Sequence, residues 1–158
     1  MFQLGKKSNA VLLLLACGFS LGLMADQTNI RASAKDYHTS PRSMRGTWYN
    51  YHSDMGYTKI KLTAHTMNYR NNSAEYHAHE YIPKSKFVAT LDNKKTHLWV
   101  FHNKDISAAF STYRYGKMKI NGKYHPILVE DGFYVFTHFK TKHQYKVPKH
   151  LRSIQSGR

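Results

Sequence analysis

Two histidines placed two residues apart are the most direct candidates for metal chemistry in this sequence. They are His77 and His79. Because side chains alternate between the two faces of a β-strand, both imidazoles would point to one face and form half of a zinc or copper site. A neighbouring strand would supply the third ligand, with three candidates: His65, His97 and His102. The spacing selects none of these three, and with eleven histidines in the chain such a pair also arises by chance.

Tyrosines interleaved with basic residues form a second candidate site, a surface for polyanions. Tyr57 is followed at strand spacing by Lys59 and Lys61. A second set consists of Tyr113, Arg114, Tyr115, Lys117 and Lys119. On one strand face such residues would stack on sugars or bases and neutralise phosphates. The alternative interpretation is an ordinary solvent-facing sheet whose tyrosines bind nothing.

Motifs that would support catalysis are scarce. The sequence has no His-Glu-x-x-His zinc motif and no glycine-rich phosphate loop. Glu130 and Asp131 are adjacent, so in a strand they would point to opposite faces, which suits solvation better than acid–base catalysis. We therefore predict that the protein is not an enzyme and uses no cofactor.

The elements that must position these residues are β-strands joined by tight turns. Asn121-Gly122 and Asp131-Gly132 readily adopt the positive φ angles of two-residue hairpin loops, so residues 113–139 are predicted to form a three-stranded meander. Upstream, Ile60 and Leu62 alternate with lysines, which indicates a half-buried strand. Closely spaced short runs of this kind predict an all-β fold, a small antiparallel barrel or sandwich of about eight short strands.

The first 34 residues have the features of a secretory signal peptide. Lys6 and Lys7 form a positive n-region, and an apolar run follows over residues 10–24. About 15 apolar residues are fewer than the roughly 20 that a membrane-spanning helix needs, which favours a signal peptide. Cleavage after Ala34 is preferred because this residue ends a small-x-small site, and cleavage after Ala25 is the alternative.

The chain contains one cysteine, Cys17, inside the apolar run. The segment Leu14-Leu15-Ala16-Cys17 resembles a bacterial lipobox, so lipoprotein processing at Cys17 is a third and less favoured alternative. With no other cysteine, the mature domain has no disulfide, no thiolate metal site and no thiol nucleophile. We therefore expect its stability to come from packing.

Charge is the strongest compositional signal. The chain has 24 Lys and Arg residues against 9 Asp and Glu residues, a net charge of +15 at pH 7. A field of this sign favours polyanions such as nucleic acid, an anionic membrane or anionic envelope polymers. Export weighs against intracellular nucleic acid and favours an anionic cell-wall polymer or a surface lipid. The alternative interpretation is a solubility charge with no partner.

These features divide the chain into four predicted parts. Residues 1–34 are the signal peptide, residues 35–43 a polar lead-in, residues 44–147 the β-barrel domain, and residues 148–158 a flexible basic tail. The tail is assigned because the residues from Pro148 onward are basic and offer little apolar surface for packing.

Gly46-Thr47-Trp48, near the start of the first predicted strand, resembles the Gly-x-Trp signature of lipocalins and related calycin barrels. In that family the tryptophan closes one end of an eight-stranded barrel, so the resemblance implies that Trp48, two residues after Gly46, is a barrel-end plug. It also implies an alternative function, the carriage of a small hydrophobic ligand in the barrel interior. More broadly, the signal peptide, the opening at residues 45–49 and the Lys- and Tyr-rich strands resemble small exported proteins of Gram-positive bacteria.

The sequence therefore predicts an exported, basic β-barrel protein, secreted or envelope-associated, that binds anionic polymers at the cell envelope or outside the cell. A lipocalin-like carrier is the alternative. The two functions differ in salt dependence, because surface binding to a polyanion weakens steeply with salt through counterion release, whereas binding in an apolar cavity hardly responds.

Overall fold

A computed structural model describes residues 35–72 and 77–152, and the predicted signal peptide lies outside these ranges. The described residues form ten β-strands and two short 3-10 turns. The strands are β1 (Lys35–Tyr37), β2 (Gly46–His52), β3 (Gly56–Leu62), β4 (Met67–Asn72), β5 (His77–Ile82), β6 (Phe87–Asn93), β7 (Leu98–Asn103), β8 (Thr112–Ile120), β9 (Lys123–Glu130) and β10 (Tyr134–Thr137). The 3-10 turns are Arg42–Met44, just before β2, and Lys149–Leu151 in the C-terminal segment.

The strands pair antiparallel in a single sheet, in the order β1-β6-β7-β8-β9-β10-β2-β3-β4-β5. The sheet therefore consists of one meander from β2 to β5 and another from β6 to β10, joined where Thr137 of β10 lies opposite Tyr49 of β2, with β1 added at the free side of β6. In the described part of the chain β1 and β5 are the two edges, so the sheet is not closed into a barrel. The predicted all-β, meander-rich fold is confirmed, with ten strands among the described residues where about eight were predicted. Of the two predicted architectures, a barrel or a sandwich, the closed barrel is not formed by the described strands.

Both hairpins of the predicted meander form where the turn residues require them. Asn121-Gly122, with φ angles of 48° and 83°, joins β8 to β9 through a two-residue loop. Asp131-Gly132, with φ angles of 50° and 75°, joins β9 to β10. This second loop has three residues, because Phe133 lies outside the β9–β10 ladder. Positive φ at both central residues matches the twist of the flanking strands, which explains these turns.

Alternation along the strands places apolar side chains on the inner face of the sheet. In β3, Ile60 and Leu62 are buried, whereas Lys59 and Lys61 are exposed. The same alternation on the other strands builds the main core. Its members are Met44, Trp48, Ile60, Leu62, Met67, Ile82, Phe87, Ala89, Phe101, Tyr113, Leu128 and Phe136. Because these residues come from both meanders, removing them from water stabilises the sheet as a unit.

A smaller second core lies on the opposite face of β9 and β10, where the C-terminal segment covers the sheet. Its members are Ile127, Val129, Val135, Val147 and Leu151. The 3-10 turn at Lys149–Leu151 directs Leu151 into this core, where it is buried. The flexible tail predicted from Pro148 is thus corrected as far as Arg152, because β9 and β10 present apolar side chains on both faces and need this cover.

Candidate polyanion-binding face

The side chains of β2 to β5 that point away from the main core form a surface rich in tyrosine and basic residues, here called the outer basic face. It consists of Tyr49, Tyr51, Tyr57, Lys59, Lys61, Arg70 and His79, with Lys140 from the segment after β10. Lys59 and Lys61, both predicted from the sequence, lie at its centre. Because Ile60 and Leu62, each 1% exposed, hold the inner side of β3 in the core, the two lysines point to solvent.

Strand register lines up polar side chains across this face. Lys59 lies opposite Tyr49 of β2 on one side and Arg70 of β4 on the other. Arg70 in turn lies opposite His79 of β5. Adjacent strands are about 4.8 Å apart, so this row of residues extends across about 14 Å of surface. Lys61 starts a second row about 7 Å further along β3.

Lys140 joins the outer basic face through two aromatic rings. Its Nζ lies 5.6 Å from the ring centroid of Tyr49 and 5.4 Å from that of Tyr57. Tyr57 also packs edge-to-face on Tyr51, with the ring centroids 5.1 Å apart. A cation within about 6 Å of an aromatic face is attracted by the ring quadrupole, so the tyrosines hold the ammonium group over this surface.

Carboxylates are scarce in this part of the sheet. Among the described residues of β2 to β5, Glu80 is the one acidic residue, and it shares the inner face of β5 with the buried Ile82. Asp54 is exposed in the turn between β2 and β3. Strand register places Lys59 and Arg70 directly opposite each other, in a region with few carboxylates to neutralise them. Like charges in such a pair destabilise a sheet, and a bound anion would offset this effect.

The second sequence-predicted set, on β8, does not form one surface. Tyr113, which is 3% exposed, belongs to the main core, and Tyr115 packs against the same core. Arg114 is 7% exposed and lies on the opposite face of β8, beneath the C-terminal segment. Lys117 and Lys119 are exposed further along the strand. Alternation separates the tyrosines from Arg114, and burial keeps Tyr113 and Arg114 away from a polymer.

The predicted metal pair lies on β5. His77 begins the strand opposite Asn72, and His79 is exposed opposite Arg70. A guanidinium directly across from an imidazole repels a bound metal cation. Within residues 35–72 and 77–152, no group of three His, Cys, Asp or Glu side chains is placed to hold a metal ion. The surroundings of His79 therefore favour an anion.

Trp48, the plug implied by the Gly-x-Trp resemblance, is fully buried in the main core. Its indole N–H donates a 2.7 Å hydrogen bond to the carbonyl of Met44, in the 3-10 turn that precedes β2. The imidazole of His138 stacks on the indole, with the ring centroids 3.6 Å apart. Leu128 and Phe136 are at most 1% exposed in the same core. Large side chains thus occupy the space between the two meanders.

The expectation that both residues of the Glu130–Asp131 pair are solvated is wrong for Glu130. Glu130 is 6% exposed, and its Oε1 accepts a 2.8 Å hydrogen bond from the Tyr113 hydroxyl. Burial raises the pKa of Glu130 to about 7, and burial also raises the pKa of Tyr113 well above its ordinary value. Both side chains line a cavity of about 200 Å³. Alternation along β9 is the signal that could have found this residue, because Glu130 is in phase with the buried Leu128.

Comparison with protein-family models, with curated protein sequences and with solved structures gave no match to this chain. In the residues that the structure describes, there is no helix long and apolar enough to cross a membrane.

Proposed function

We propose that the protein is exported and binds an anionic polymer of the cell envelope through its outer basic face. The observation that carries this proposal is the placement of Lys59 directly opposite Arg70 on adjacent strands. Cations on directly opposed residues of adjacent strands repel each other. A polyanion that crosses both strands would convert this repulsion into two favourable contacts. Binding is therefore coupled to relief of an unfavourable charge pair.

The tyrosines of the face give the polymer more than charge to contact. Tyr49 and Tyr57 lie under Lys140, and Tyr51 packs beside Tyr57, so three rings sit among the cations. Aromatic side chains of this kind stack on sugar or base surfaces, while lysines track a phosphate backbone. A polymer that alternates sugar or polyol units with phosphate fits both requirements.

Export determines which polyanion is relevant. The N-terminal pattern of Lys6, Lys7 and an apolar run supports a secretory signal peptide, which would bring the folded domain to the wall or the medium. A phosphate-rich wall polymer is then the preferred partner, with an anionic surface lipid second and intracellular nucleic acid disfavoured. Carriage of a hydrophobic ligand has less support, because Trp48, Leu128 and Phe136 already occupy the core.

Co-sedimentation of the purified full chain with anionic cell-wall material tests the proposal, at about 50 mM and about 200 mM salt. We expect binding at low salt that falls steeply at the higher concentration and is lost with wall material stripped of its phosphate polymers. The double variant Lys59→Ala/Lys61→Ala should bind at least about tenfold more weakly, because each lysine near an anionic surface contributes about 1 kcal/mol. Its salt slope should fall by about one for each lost phosphate contact.

The matched control is Lys117→Ala/Lys119→Ala, which removes the same charge from exposed positions on β8. We expect this variant to bind as the unmodified protein does. Equal weakening by the two double variants would show that net charge, and not the outer basic face, drives binding. Retention on wall material without phosphate polymers would equally contradict the proposal.

A further inference from the structure

A basic pocket separate from the outer basic face opens between the β6–β7 loop, β8 and the C-terminal segment. Its volume is about 350 Å³. The cationic or titratable residues of its lining are Lys95, His97, Arg114, Lys149, His150 and Arg152. No Asp or Glu lines it among the described residues. Four permanent cations around one pocket repel one another, so a bound anion is the group that this lining would stabilise.

Arg114 is the built element of the pocket. Its side chain is 7% exposed, and its Nη1 makes two long contacts, each 3.4 Å, with the carbonyl oxygens of His150 and Arg152. Its Nε is buried and has no hydrogen-bond partner in the described part of the chain. A guanidinium offers five N–H donors in a planar fork, and a buried donor without an acceptor is costly. Arg114 thus lines the pocket with a donor that no described residue satisfies, and no Asp or Glu among the described residues shares that lining.

A second unpartnered polar atom lines the same pocket. The Oγ1 of Thr96 is buried and makes no hydrogen bond within the described residues. The backbone N–H of Thr96 donates a 3.1 Å hydrogen bond to Oδ1 of Asn93, so the loop holds Thr96 in place. Thr96 and Arg114 both line this pocket, and a hydroxyl and a guanidinium together are a donor set suited to an oxyanion.

We propose that this pocket binds the phosphate group of a small phosphorylated molecule, with Arg114 and Thr96 donating to the phosphate oxygens. Arginine matches phosphate through parallel N–H···O bonds, and Lys95, Lys149 and Arg152 supply the charge that a dianion requires. A volume of about 350 Å³ falls in the range of small-molecule sites, which leaves space for an organic part beside the phosphate. The site is distinct from the outer basic face, because β9 and β10 lie between β8 and β2.

Titration calorimetry on the purified full chain tests this assignment, with glucose 6-phosphate, glucose and inorganic phosphate as probes. We expect saturable binding of glucose 6-phosphate, weaker binding of inorganic phosphate and no binding of glucose. Thr96→Val and Arg114→Met should each weaken glucose 6-phosphate binding by about ten- to hundredfold, since hydrogen bonds to charged groups have that strength. Lys149→Ala should weaken it less, because it removes charge without a buried donor.

Two controls keep the test decisive. Lys123→Ala removes an exposed charge from the β8–β9 hairpin and should leave the affinity unchanged. Because Arg114→Met alters a buried residue, circular dichroism must first show that this variant folds. If it does not fold, the glucose 6-phosphate affinities of Thr96→Val and Lys149→Ala test the site instead. Unchanged affinity in folded Thr96→Val, or no saturable binding to the unmodified protein, would overturn the site. If inorganic phosphate bound with the same affinity as glucose 6-phosphate, the inference that the pocket also accommodates an organic group would be wrong.

The outcomes are also separable from those of wall binding. Lys59→Ala/Lys61→Ala should bind glucose 6-phosphate normally, while Thr96→Val should sediment normally with wall material. A loss of both activities in either variant would show that one surface serves both ligands, which contradicts a separate pocket.

Discussion

The imidazole of His138 stacks on the indole of Trp48 directly above Gly46. The ring centroids of His138 and Trp48 are 3.6 Å apart. Nδ1 of His138 lies 2.8 Å from the carbonyl oxygen of Thr47. A Cβ added at Gly46 would come within 2.9 Å of Cε1 of His138, and Gly46 has a φ angle of 129°. Glycine before Thr47-Trp48 is therefore required here twice, for its backbone conformation and for the space that the imidazole occupies.

Gly46→Ala should lower the free energy of unfolding by about 2 kcal/mol or more. A non-glycine residue held at a positive φ of this kind costs about 1–3 kcal/mol, and the contact with His138 adds to it. Urea denaturation followed by circular dichroism measures the change. A variant as stable as the unmodified protein would contradict the structural role of this glycine.

The double variant Gly46→Ala/His138→Ala separates the two costs. His138→Ala alone should lose about 1 kcal/mol, the usual contribution of a stacked aromatic pair. In the Gly46→Ala background the same change should cost less or even restore stability, because it removes the steric contact. Strict additivity of the two substitutions would mean that they do not interact.

Gly116→Ala should loosen the C-terminal segment. A Cβ at Gly116 would overlap Cδ1 of Leu151, so the leucine would have to move. We expect a loss of about 1–3 kcal/mol from overpacking, with faster hydrogen exchange in Lys149–Leu151. Leu151→Ala should cost about 2 kcal/mol through the cavity that it leaves.

Combining these substitutions provides the check. In Gly116→Ala/Leu151→Ala the new methyl group fills part of the space left by the leucine. The double variant should therefore be no less stable than Leu151→Ala alone. A further loss of stability would indicate that Gly116 matters for β8 itself and not for docking of the C-terminal segment.

Glu130 should make folding stability depend on pH. Burial raises its pKa in the folded protein from the ordinary 4.5 to about 7, so between these values the folded state keeps a proton that the unfolded state has released. Stability from this group is therefore fully present below about pH 4.5 and is lost as pH rises to about 7. The total loss is about 3 kcal/mol.

The measurement compares unfolding free energies of the unmodified protein and Glu130→Gln from pH 4.5 to 8. Glutamine stays neutral and can still accept the hydrogen bond from Tyr113, so the variant should gain relative stability as pH rises. Because both proteins carry the same histidines, histidine titration cancels in the difference. A pH-independent difference in unfolding free energy between the unmodified protein and Glu130→Gln would refute the raised pKa.

Tyr57 should contribute to polymer binding through its ring and not through its hydroxyl. The ring contacts Tyr51 and lies beneath Lys140 on the outer basic face. Tyr57→Phe should keep wall binding nearly unchanged, whereas Tyr57→Ala should weaken it by about tenfold, the lower end of what one stacked aromatic contributes. Co-sedimentation at low salt measures both. Equal loss in the two variants would assign the effect to the hydroxyl group.

Local patterns in the sequence determined the secondary structure and one part of the candidate site. Alternation of Ile60 and Leu62 with Lys59 and Lys61 requires a strand that is buried on one side, because a residue's face in a strand follows from its position alone. The turn at Asn121-Gly122 is equally local, since positive φ is a property of those two residues. These features therefore needed no knowledge of distant contacts.

Tertiary structure decided what lies over each strand. Arg114 and Glu130 have charged side chains that favour solvent, yet the C-terminal segment covers the first and the inner face of β9 buries the second. Lys59 meets Arg70 only through the β3–β4 register, and β10 meets Tyr49 only because the two meanders join. Sequence by itself determines local conformation and the alternation of faces; burial and charge pairing depend on residues far away along the chain, which only the folded sheet brings into contact.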